Sequence, residues 1–446
     1  MTKVITYGTY DLLHRGHIRL LERAKALGDY LIVGITADTF DQARGKINVQ
    51  QSLIERIEAV RATGLADEII VEEYEGQKID DIKRYGVDIF AIGSDWKGRF
   101  DYLQEYCRVV YLERTAGVSS TEIRAEQAAL RIGIVGESRI INKFEKESHY
   151  VNGVTISGIY SEDYSSLTSE LKAMAHETAS YSELLDKSEA VYIISRPTMH
   201  YRQAREALLR GKHVLCESPI ALDGQQLAEL RQIAGERGLV LSDGIKTAYS
   251  TAYNRMLLLV KSGVIGTPVS VDAVCTSLSD LEGTDAQHLT HKWNSICAWG
   301  PTALLPIVQI LGTDFSTYQM TSQLLCDDFD AFTKVSLVYP NAVASIKVGV
   351  GVKSEGELTV SGTKGYVYVP APWWKTDYFE IRYENPADNR RYYYQLDGEG
   401  IRYEIVSFLK AIQTGKDPSY VETRHSDAIV KIIEAFYQHR FIELVK

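Results

Sequence analysis

Two histidines three residues apart, with a glycine between them, are well suited to chemistry near the start of the chain. They are His14 and His17 in the stretch GTYDLLHRGHIRLLERAK, where an apolar run gives way to a pattern typical of a helix. A helix N-terminus carries unpaired N–H groups and a positive potential, and Gly16 would let an anion approach the backbone. The arrangement predicts a site for a phosphate group, with both imidazoles facing it.

Two other interpretations of the histidine pair stay open on the residues alone. A structural zinc site usually takes four ligands, and no cysteine or further histidine lies close to the pair in the sequence. The histidines could also be ordinary satisfied polar groups at a helix start. We predict no metal site held by the protein.

A second polar loop, RTAGVSST, has a composition suited to a nucleotide phosphate. The guanidinium group of Arg114 can meet a phosphate in a bidentate manner, and Gly117 permits a tight turn. Ser119 and Glu122 form an S-x-x-E capping box, which places hydroxyl groups and backbone donors at the start of a helix. Capping explains the serines, but it leaves the preceding Arg-Thr-x-Gly without a reason.

Both motifs resemble those of the cytidylyltransferase family, most closely its glycerol-3-phosphate members. YGTYDLLHRGHIRLLERAKALGD is similar to the family's H-x-G-H signature and RTAGVSST to its R-T-x-G-[IV]-S-[ST]-T loop, and the resemblance covers nearly all of residues 1–127. It implies transfer of CMP from CTP, with Mg²⁺, to a polyol phosphate, which would give CDP-glycerol and pyrophosphate. It also implies a place in teichoic acid or capsule synthesis.

The resemblance implies a role for each matching residue. His14, His17 and Arg114 would be catalytic, because they would stabilise charge on the α-phosphate as pyrophosphate leaves. Arg44 and Lys78 would bind the polyol phosphate, although solvated surface charge is the alternative for these basic residues. The implied nucleotide-binding residues are Thr9, Tyr10, Asp11, Gly16, Lys46, Thr115, Gly117, Ser119, Ser120 and Thr121.

One position departs from the family pattern. The family has a second arginine after the one that matches Arg56, whereas this sequence has Gly64 there, and Arg61 is out of register by three residues. The departure concerns the acceptor polyol phosphate rather than the transfer of the nucleotidyl group.

Short apolar runs and amphipathic helical stretches alternate along the first part of the chain and again along the second. This alternation predicts mostly parallel sheets with helices on both faces. Longer strands rich in β-branched and aromatic residues follow, which predicts an α+β domain with a large, mostly antiparallel sheet. We therefore expect an α/β protein with a Rossmann-like nucleotidyltransferase domain at residues 1–128, a Rossmann domain at 129–248 and the sheet domain at 249–446.

The chain from Leu130 onward resembles the glucose-fructose oxidoreductase and inositol dehydrogenase family (Gfo/Idh/MocA). The resemblance rests on AVYIISRPTMHYRQAREALLRGKHVLCESPIAL, LVLSDGIKTAY, KSGVIGTPVSV and GTKGYVYVPAPWW, which occur in the family's order. It implies an NAD(P)-type Rossmann domain and a sheet domain that builds the substrate site and the oligomer contact. A homo-oligomer is therefore expected.

The cofactor turn expected of that family is degenerate here. A dinucleotide-binding turn needs G-x-G-x-x-G/A, but only Gly136 remains, and Ser138 takes the place of the second glycine. Glu137 adds negative charge close to where a diphosphate would lie. Binding of NAD(P) is therefore doubtful, and the candidate cofactor residues are Gly136, Ser138 and Glu217.

The family's catalytic positions are altered as well. Its E-K-P motif is replaced by Glu217-Ser218-Pro219, and ungapped alignment places Thr302 and Ala298 on its catalytic positions. These losses favour a half without redox catalysis.

Two hypotheses follow for the larger half of the chain. It could have lost its chemistry and serve as an oligomerisation or binding module. It could instead be an NAD(P)-dependent reductase that supplies the polyol, with Lys246 at the mouth of the cleft and Tyr249 or His200 as a proton source. In that case, the two halves would form a bifunctional enzyme.

Composition excludes several classes of partner. The 446 residues carry a formal net charge of −10 with no Lys/Arg run, so we expect no nucleic acid partner. The five cysteines lie far apart, which is typical of a reducing compartment. The sequence shows no signal peptide and no apolar stretch of about 18 residues, which predicts a cytoplasmic protein without membrane insertion.

Overall fold

Three β-sheets organise the part of the chain that the computed structural model describes, namely residues 1–37, 49, 51, 53–73, 76–113, 129–279, 281, 289, 292–394, 396, 398–415 and 420–444. They belong to two compact units. The first unit comprises residues 1–129 with 150–153, and the second comprises residues 130–149 with 154–446.

The first unit is a parallel sheet with helices between its strands. Its elements are β1 (Lys3–Gly8), α1 (Arg15–Lys25), β2 (Tyr30–Thr36), α2 (Leu53–Ala62), β3 (Glu68–Glu72), α3 (Gln77–Tyr85), β4 (Ile89–Gly93) and β5 (Arg108–Leu112), with 3₁₀ turns at Ser94–Trp96 and Asp101–Glu105. The strand order is β3-β2-β1-β4-β5, and all four pairings are parallel. The order reverses between β1 and β4, and such sheets bind ligands at the carboxyl ends of the strands beside the reversal.

The central strand β1 is buried on both faces, as its almost continuous apolar run predicts. Val4 packs with Leu21 of α1 in one apolar cluster, whereas Ile5 packs with Phe90 of β4 in a cluster on the opposite face. The carboxyl end of β1 is therefore held from both sides, and the turn that follows it starts from a fixed point.

The second unit begins with another parallel sheet. Its elements are β6 (Leu130–Gly136), α4 (Ile140–Ser148), β7 (Val154–Tyr160), α5 (Ser169–His176), α6 (Tyr181–Lys187), β8 (Ala190–Ile194), α7 (Pro197–Leu209), β9 (His213–Glu217), α8 (Gly224–Arg237) and β10 (Leu241–Gly244). The strand order is β10-β9-β8-β6-β7, again with parallel pairing throughout.

A nine-stranded sheet completes the second unit. Its strands are β11 (Pro268–Thr276), β12 (Thr317–Cys326), β13 (Phe329–Val338), β14 (Val343–Gly349), β15 (Leu358–Gly362), β16 (Tyr366–Val369), β17 (Tyr378–Arg382), β18 (Arg390–Tyr393) and β19 (Ile442–Glu443). The helices of this part are α9 (Thr251–Lys261), α10 (Ser295–Ile310), α11 (Ile401–Thr414) and α12 (Thr423–Tyr437), with 3₁₀ turns at Lys246–Tyr249, Trp373–Lys375 and Pro386–Asp388.

Most pairings in the nine-stranded sheet are antiparallel. The strand order is β18-β17-β16-β15-β11-β14-β13-β12-β19, and the parallel pairs are β11 with β14 and β12 with β19. The predicted fold class, two parallel sheets followed by a large, mostly antiparallel one, is confirmed. None of the described helices combines the length and the apolar character that a membrane-spanning helix needs.

A buried ion pair joins α4 to α11 inside the second unit. Arg402 donates from Nε to Glu147 Oε2 at 2.9 Å and from Nη2 to Oε1 at 3.0 Å, and the two side chains are 10% and 7% exposed. Gly398, with φ +67°, lies so close that an added Cβ would be 2.0 Å from Glu147 Oε1. The turn before α11 is therefore packed on this pair.

We expect Glu147→Ala to destabilise the second unit by about 3 kcal/mol, because it removes the carboxylate that accepts two hydrogen bonds from the buried Arg402 guanidinium. The midpoint of urea unfolding, followed by tryptophan fluorescence, measures the loss. Arg424→Ala is the matched control, since Arg424 pairs with Glu422 at the surface, where both side chains are more than half exposed. Equal midpoints for the two variants would contradict the role of the buried pair.

Candidate active site

The turn after β1 brings both histidines to the start of α1. His14 is the residue before the helix, and its Nδ1 accepts a hydrogen bond from the backbone N–H of Gly16 at 3.1 Å. Because an accepting Nδ1 carries no proton, the neutral ring has its proton on Nε2. The rings of His14 and His17 stack with their centroids 3.9 Å apart. The structure thus brings the two predicted residues together in one pair.

Two residues of this turn have left-handed backbone conformations, Tyr10 with φ 53° and Leu12 with φ 46°. Such conformations cost about 1–3 kcal/mol each in residues other than glycine, so the surroundings must hold them. Tyr10 is 1% exposed, and its ring lies edge-on to that of His17 with centroids 5.5 Å apart. Burial raises the pKa of the Tyr10 phenol, which therefore stays neutral. The packing of Tyr10 positions the ring of His17.

Asp11 closes the same turn onto the segment before α2. Its buried carboxylate accepts a hydrogen bond from the backbone N–H of Gln51 at 3.0 Å. The Gln51 side chain accepts one in return from the backbone N–H of Leu12 at 2.8 Å. Asp11 therefore positions the turn through the backbone.

Arg56 is a fully buried arginine whose structural role the sequence analysis missed. Its Nη1 donates to Thr9 O at 2.8 Å and to Thr36 O at 2.9 Å, and its Nε donates to Gln51 O at 3.1 Å. It thereby joins the turn after β1 to the end of β2 and the start of α2. Its spacing from Val60, an apolar residue on the same side of α2, is the sequence signal that could have revealed it.

Lys78, predicted to bind the polyol phosphate, is 6% exposed on α3. Its Nζ pairs with the buried carboxylate of Glu72 and lies 4.7 Å from the centre of the Tyr7 ring. Glu72 also accepts a hydrogen bond from Thr36 Oγ1 at 3.0 Å. A continuous chain of contacts thus runs from Lys78 to the strand end that Arg56 holds.

Gly64, which stands where the family has its second arginine, lies just after the end of α2. Gly64 has φ +67°, and its backbone N–H donates to Arg61 O at 3.0 Å after the last turn of α2. Arg61 is exposed and pairs with Glu58.

Eight predicted site residues lie outside the described residues: Arg44, Lys46, Arg114, Thr115, Gly117, Ser119, Ser120 and Thr121. Within the described ranges, no three His, Cys, Asp or Glu side chains are placed to hold a metal ion.

In the second unit, the turn after β6 keeps its one glycine for a steric reason. Gly136 has φ 146°, and an added Cβ would lie 2.4 Å from the carbonyl carbon of Ile194. Ser138 Oγ accepts a hydrogen bond from the backbone N–H of Ile140 at 3.2 Å, so this side chain occupies the start of α4. Ser166 Oγ donates to Glu137 O at 2.8 Å, and burial raises the pKa of the Glu137 carboxyl.

Glu217 and Lys246 lie at the same sheet edge. Gly244 of β10 pairs with Glu217 of β9, and Lys246 follows two residues later. The hydroxyl of Tyr192 donates to Glu217 Oε1. Burial raises the pKa of Glu217, whereas burial lowers that of Lys246 and the nearby Glu217 partly offsets this effect. The structure thus brings Lys246 next to the position that carries the degenerate family motif.

The buried side chain of His200 contacts backbone carbonyl groups through both ring nitrogens. It is fully buried, and its Nδ1 and Nε2 lie 2.8 Å from Pro219 O and 2.7 Å from Ser195 O. Burial lowers its pKa. Tyr249 is also buried.

Comparison with known proteins assigns the first unit. A glycerol-3-phosphate cytidylyltransferase of Bacillus spizizenii is 51% identical over 130 residues, which are 29% of this chain and 100% of that protein. The corresponding protein of Staphylococcus aureus is 47% identical and covers 28% of this chain and 95% of its own length. Residues 5–126 match the cytidylyltransferase-like family. The chain belongs to that family. It is a nucleotidyltransferase, as its two motifs predict.

The second unit is an oxidoreductase-type fold joined to this cytidylyltransferase. Residues 130–245 match the oxidoreductase family with an NAD-binding Rossmann fold. A 3-ketoreductase from Actinomadura kijaniata, crystallised with NADP and TDP-benzene, has a TM-score of 0.63 at 18% identity and covers 71% of this chain and 99% of its own. A UDP-N-acetylglucosamine 3-dehydrogenase from Acidithiobacillus ferrooxidans has a TM-score of 0.55 at 18% identity and covers 70% and 99%. At this identity the likeness shows the fold alone.

We expect Arg56→Ala to loosen the carboxyl edge of the first sheet, because three backbone carbonyl groups lose a charged donor at a cost of about 3 kcal/mol. Hydrogen exchange of the β1 and β2 amides, measured by mass spectrometry, detects the change without interference from the second unit. Arg61→Ala is the control, because its side chain is 61% exposed on the same helix. Equal protection in both variants would show that Arg56 does not hold this edge.

Proposed function

We propose that the first unit transfers CMP from CTP to glycerol 3-phosphate and releases pyrophosphate and CDP-glycerol. The observation that carries the proposal is the stacked pair of His14 and His17 at the N-terminus of α1, beside the strand reversal of a parallel sheet. The glycerol-3-phosphate cytidylyltransferases that share about half of its residues support the choice of substrates.

In the proposed reaction, a phosphate oxygen of glycerol 3-phosphate attacks the α-phosphorus of CTP. The new oxygen–phosphorus bond forms as the bond to the bridging oxygen of the β-phosphate breaks, and pyrophosphate leaves with the electron pair. The Nε2–H of His14 and the ring of His17 stabilise the charge that develops on the α-phosphate oxygens. The N-terminus of α1, with Gly16 in its first turn, adds backbone donors.

The remaining assignments belong to the same proposal. Arg114 acts with the histidines, Arg44 and Lys78 serve the acceptor phosphate, and the other nucleotide contacts come from the turn after β1, from Lys46 and from the RTAGVSST loop. Mg²⁺ enters with CTP as part of the metal–nucleotide substrate and neutralises phosphate charge. The product would supply teichoic acid or capsule synthesis in the cytoplasm.

For the second unit we propose a role without redox catalysis, as a binding or oligomerisation module of a homo-oligomer. Ser138 Oγ already caps α4 where a dinucleotide phosphate would meet the backbone, and Glu137 lies beside it. Ser218 and Thr302 supply no acid–base group comparable to a lysine or histidine. We also propose that the domain boundaries lie between residues 128 and 129 and between residues 248 and 249.

We expect His17→Ala to lower the rate of CDP-glycerol formation by about 10²-fold or more, because it removes charge stabilisation made mainly in the transition state. Pyrophosphate release from CTP and glycerol 3-phosphate measures the rate, and circular dichroism checks that the fold is intact. His149→Ala, at a histidine 70% exposed in the second unit, should leave the rate unchanged. Activity of His17→Ala within a few-fold of wild type would overturn the assignment.

NADH and NADPH should bind weakly or not at all, with no saturation of the fluorescence titration below about 1 mM. The physical reason is the serine side chain and the carboxylate in the turn after β6, where a pyrophosphate needs bare backbone. Nicotinamide cofactor copurifying with the protein, or polyol-dependent reduction of NAD(P)⁺, would instead support the bifunctional hypothesis.

A further inference from the structure

Three lysines from separate parts of the second unit meet at one carboxylate. They are Lys143 of α4, Lys246 of the 3₁₀ turn after β10 and Lys375 of the 3₁₀ turn after β16, here called the lysine cluster. The Nζ of Lys143 lies 3.0 Å from Glu399 Oε1, whereas those of Lys375 and Lys246 lie 2.5 Å and 3.8 Å from Oε2. The lysine side chains are 22–41% exposed, so ligands in solution can reach the cluster.

The lysine cluster has more positive charge than Glu399 can neutralise. Burial alone would raise the pKa of Glu399, but hydrogen bonds from Lys375 and Lys143 hold it at about 2, so the carboxylate is ionised at neutral pH. Three lysines face the one carboxylate of Glu399, so positive charge is in excess here even though Glu217 lies near Lys246. A phosphate monoester is a dianion near neutral pH, and its charge matches this excess.

Glu399 is a fixed counter-charge. It lies between Gly398 and Gly400, which have φ values of +67° and +84°. Gly398 packs directly on the buried pair of Glu147 and Arg402, because an added Cβ at this position would lie 2.0 Å from Glu147 Oε1. The position of Glu399 therefore keeps the three ammonium groups close together despite their mutual repulsion.

A buried carboxyl group lies behind Lys246. Glu404 of α11 is 1% exposed, and neither of its oxygens has a hydrogen-bond partner among the described residues. Burial and the nearby Glu217 raise its pKa well above the ordinary value, which favours the protonated form. A buried carboxyl without such a partner is costly, and a neutral, protonated group costs less to bury beside Lys246 than a charged one.

An aromatic surface adjoins the cluster. Trp374 directly precedes Lys375 in the chain and packs against Trp299 with ring centroids 4.8 Å apart. Both tryptophans are only partly buried. Such a surface suits the C–H groups of a small polyol.

We propose that the lysine cluster binds the phosphate group of a small phosphorylated polyol, whose hydroxyl groups face Glu217. The dianion is recognised by the three ammonium groups, and this part of the proposal stands on the second unit alone. The choice of glycerol 3-phosphate as the polyol phosphate rests on the function proposed for the first unit.

The test measures how fast each lysine of the full chain is acetylated by acetic anhydride, read residue by residue by mass spectrometry. Glycerol 3-phosphate at about 1 mM should slow labelling of Lys143, Lys246 and Lys375 several-fold. Neither glycerol at the same concentration nor sodium chloride at the same ionic strength should slow it. The exposed residues Lys334, Lys353 and Lys364 are internal controls, and their rates should not change.

Inorganic phosphate separates the two possible sources of the dianion. Weaker protection by inorganic phosphate than by glycerol 3-phosphate supports a polyol phosphate site, and equal protection assigns the site to free phosphate and overturns the polyol. No protection of the cluster by either compound overturns the whole proposal. This readout does not depend on CDP-glycerol formation, so it can fail while the proposed transferase activity stands.

Two substitutions distinguish a binding site from a purely structural ion-pair network. Glu399→Gln removes the internal anion but keeps its shape, so glycerol 3-phosphate should protect the lysine cluster at a concentration about 5-fold lower. Unchanged or weaker protection would indicate a structural network. Lys375→Met should weaken protection of Lys143 and Lys246 about 10-fold, whereas the control Lys364→Met should not.

Discussion

A buried guanidinium that must find acceptors in the protein holds the carboxyl edge of the first sheet. Arg56 meets three backbone carbonyl groups, from the turn after β1, from the end of β2 and from the start of α2. Desolvation of a charge is tolerable only when its donors are satisfied, so these three segments are bound to one geometry. The left-handed Tyr10 directly follows Thr9, whose carbonyl group Arg56 holds, and the same turn leads to the stacked rings of His14 and His17.

Both units contain the same strand–turn–helix motif, but a different side chain occupies the helix start in each. In the first unit, the ring of His14 caps α1 through Nδ1, which places the proton of the neutral ring on Nε2. In the second unit, Ser138 Oγ accepts a hydrogen bond from the backbone N–H of Ile140, the first residue of α4. The same local fold thus ends in an imidazole in one unit and in a hydroxyl group in the other, so the side chain rather than the fold sets the chemistry available there.

Sequence patterns predicted the three sheets and the family because those features are local or periodic. The H-x-G-H spacing and the alternation of strands and helices lie within short windows of the chain. The burial of Arg56 and the pairing of Lys78 with Glu72 depend instead on how helices pack on the sheet, which periodicity does not specify. The lysine cluster was missed for the same reason: Lys143 and Glu399 are separated by most of the second unit.

The ion pair of Glu147 and Arg402 links residues 255 positions apart in the chain. During synthesis from the N-terminus, the first unit can complete its sheet long before Arg402 has been made, whereas α4 must wait for α11. Contacts of such high sequence separation slow folding, because a long loop has to close before they form. The cytidylyltransferase unit can therefore fold while the ribosome is still translating the other, and the carboxylate of Glu147 remains solvated until the last third of that unit emerges.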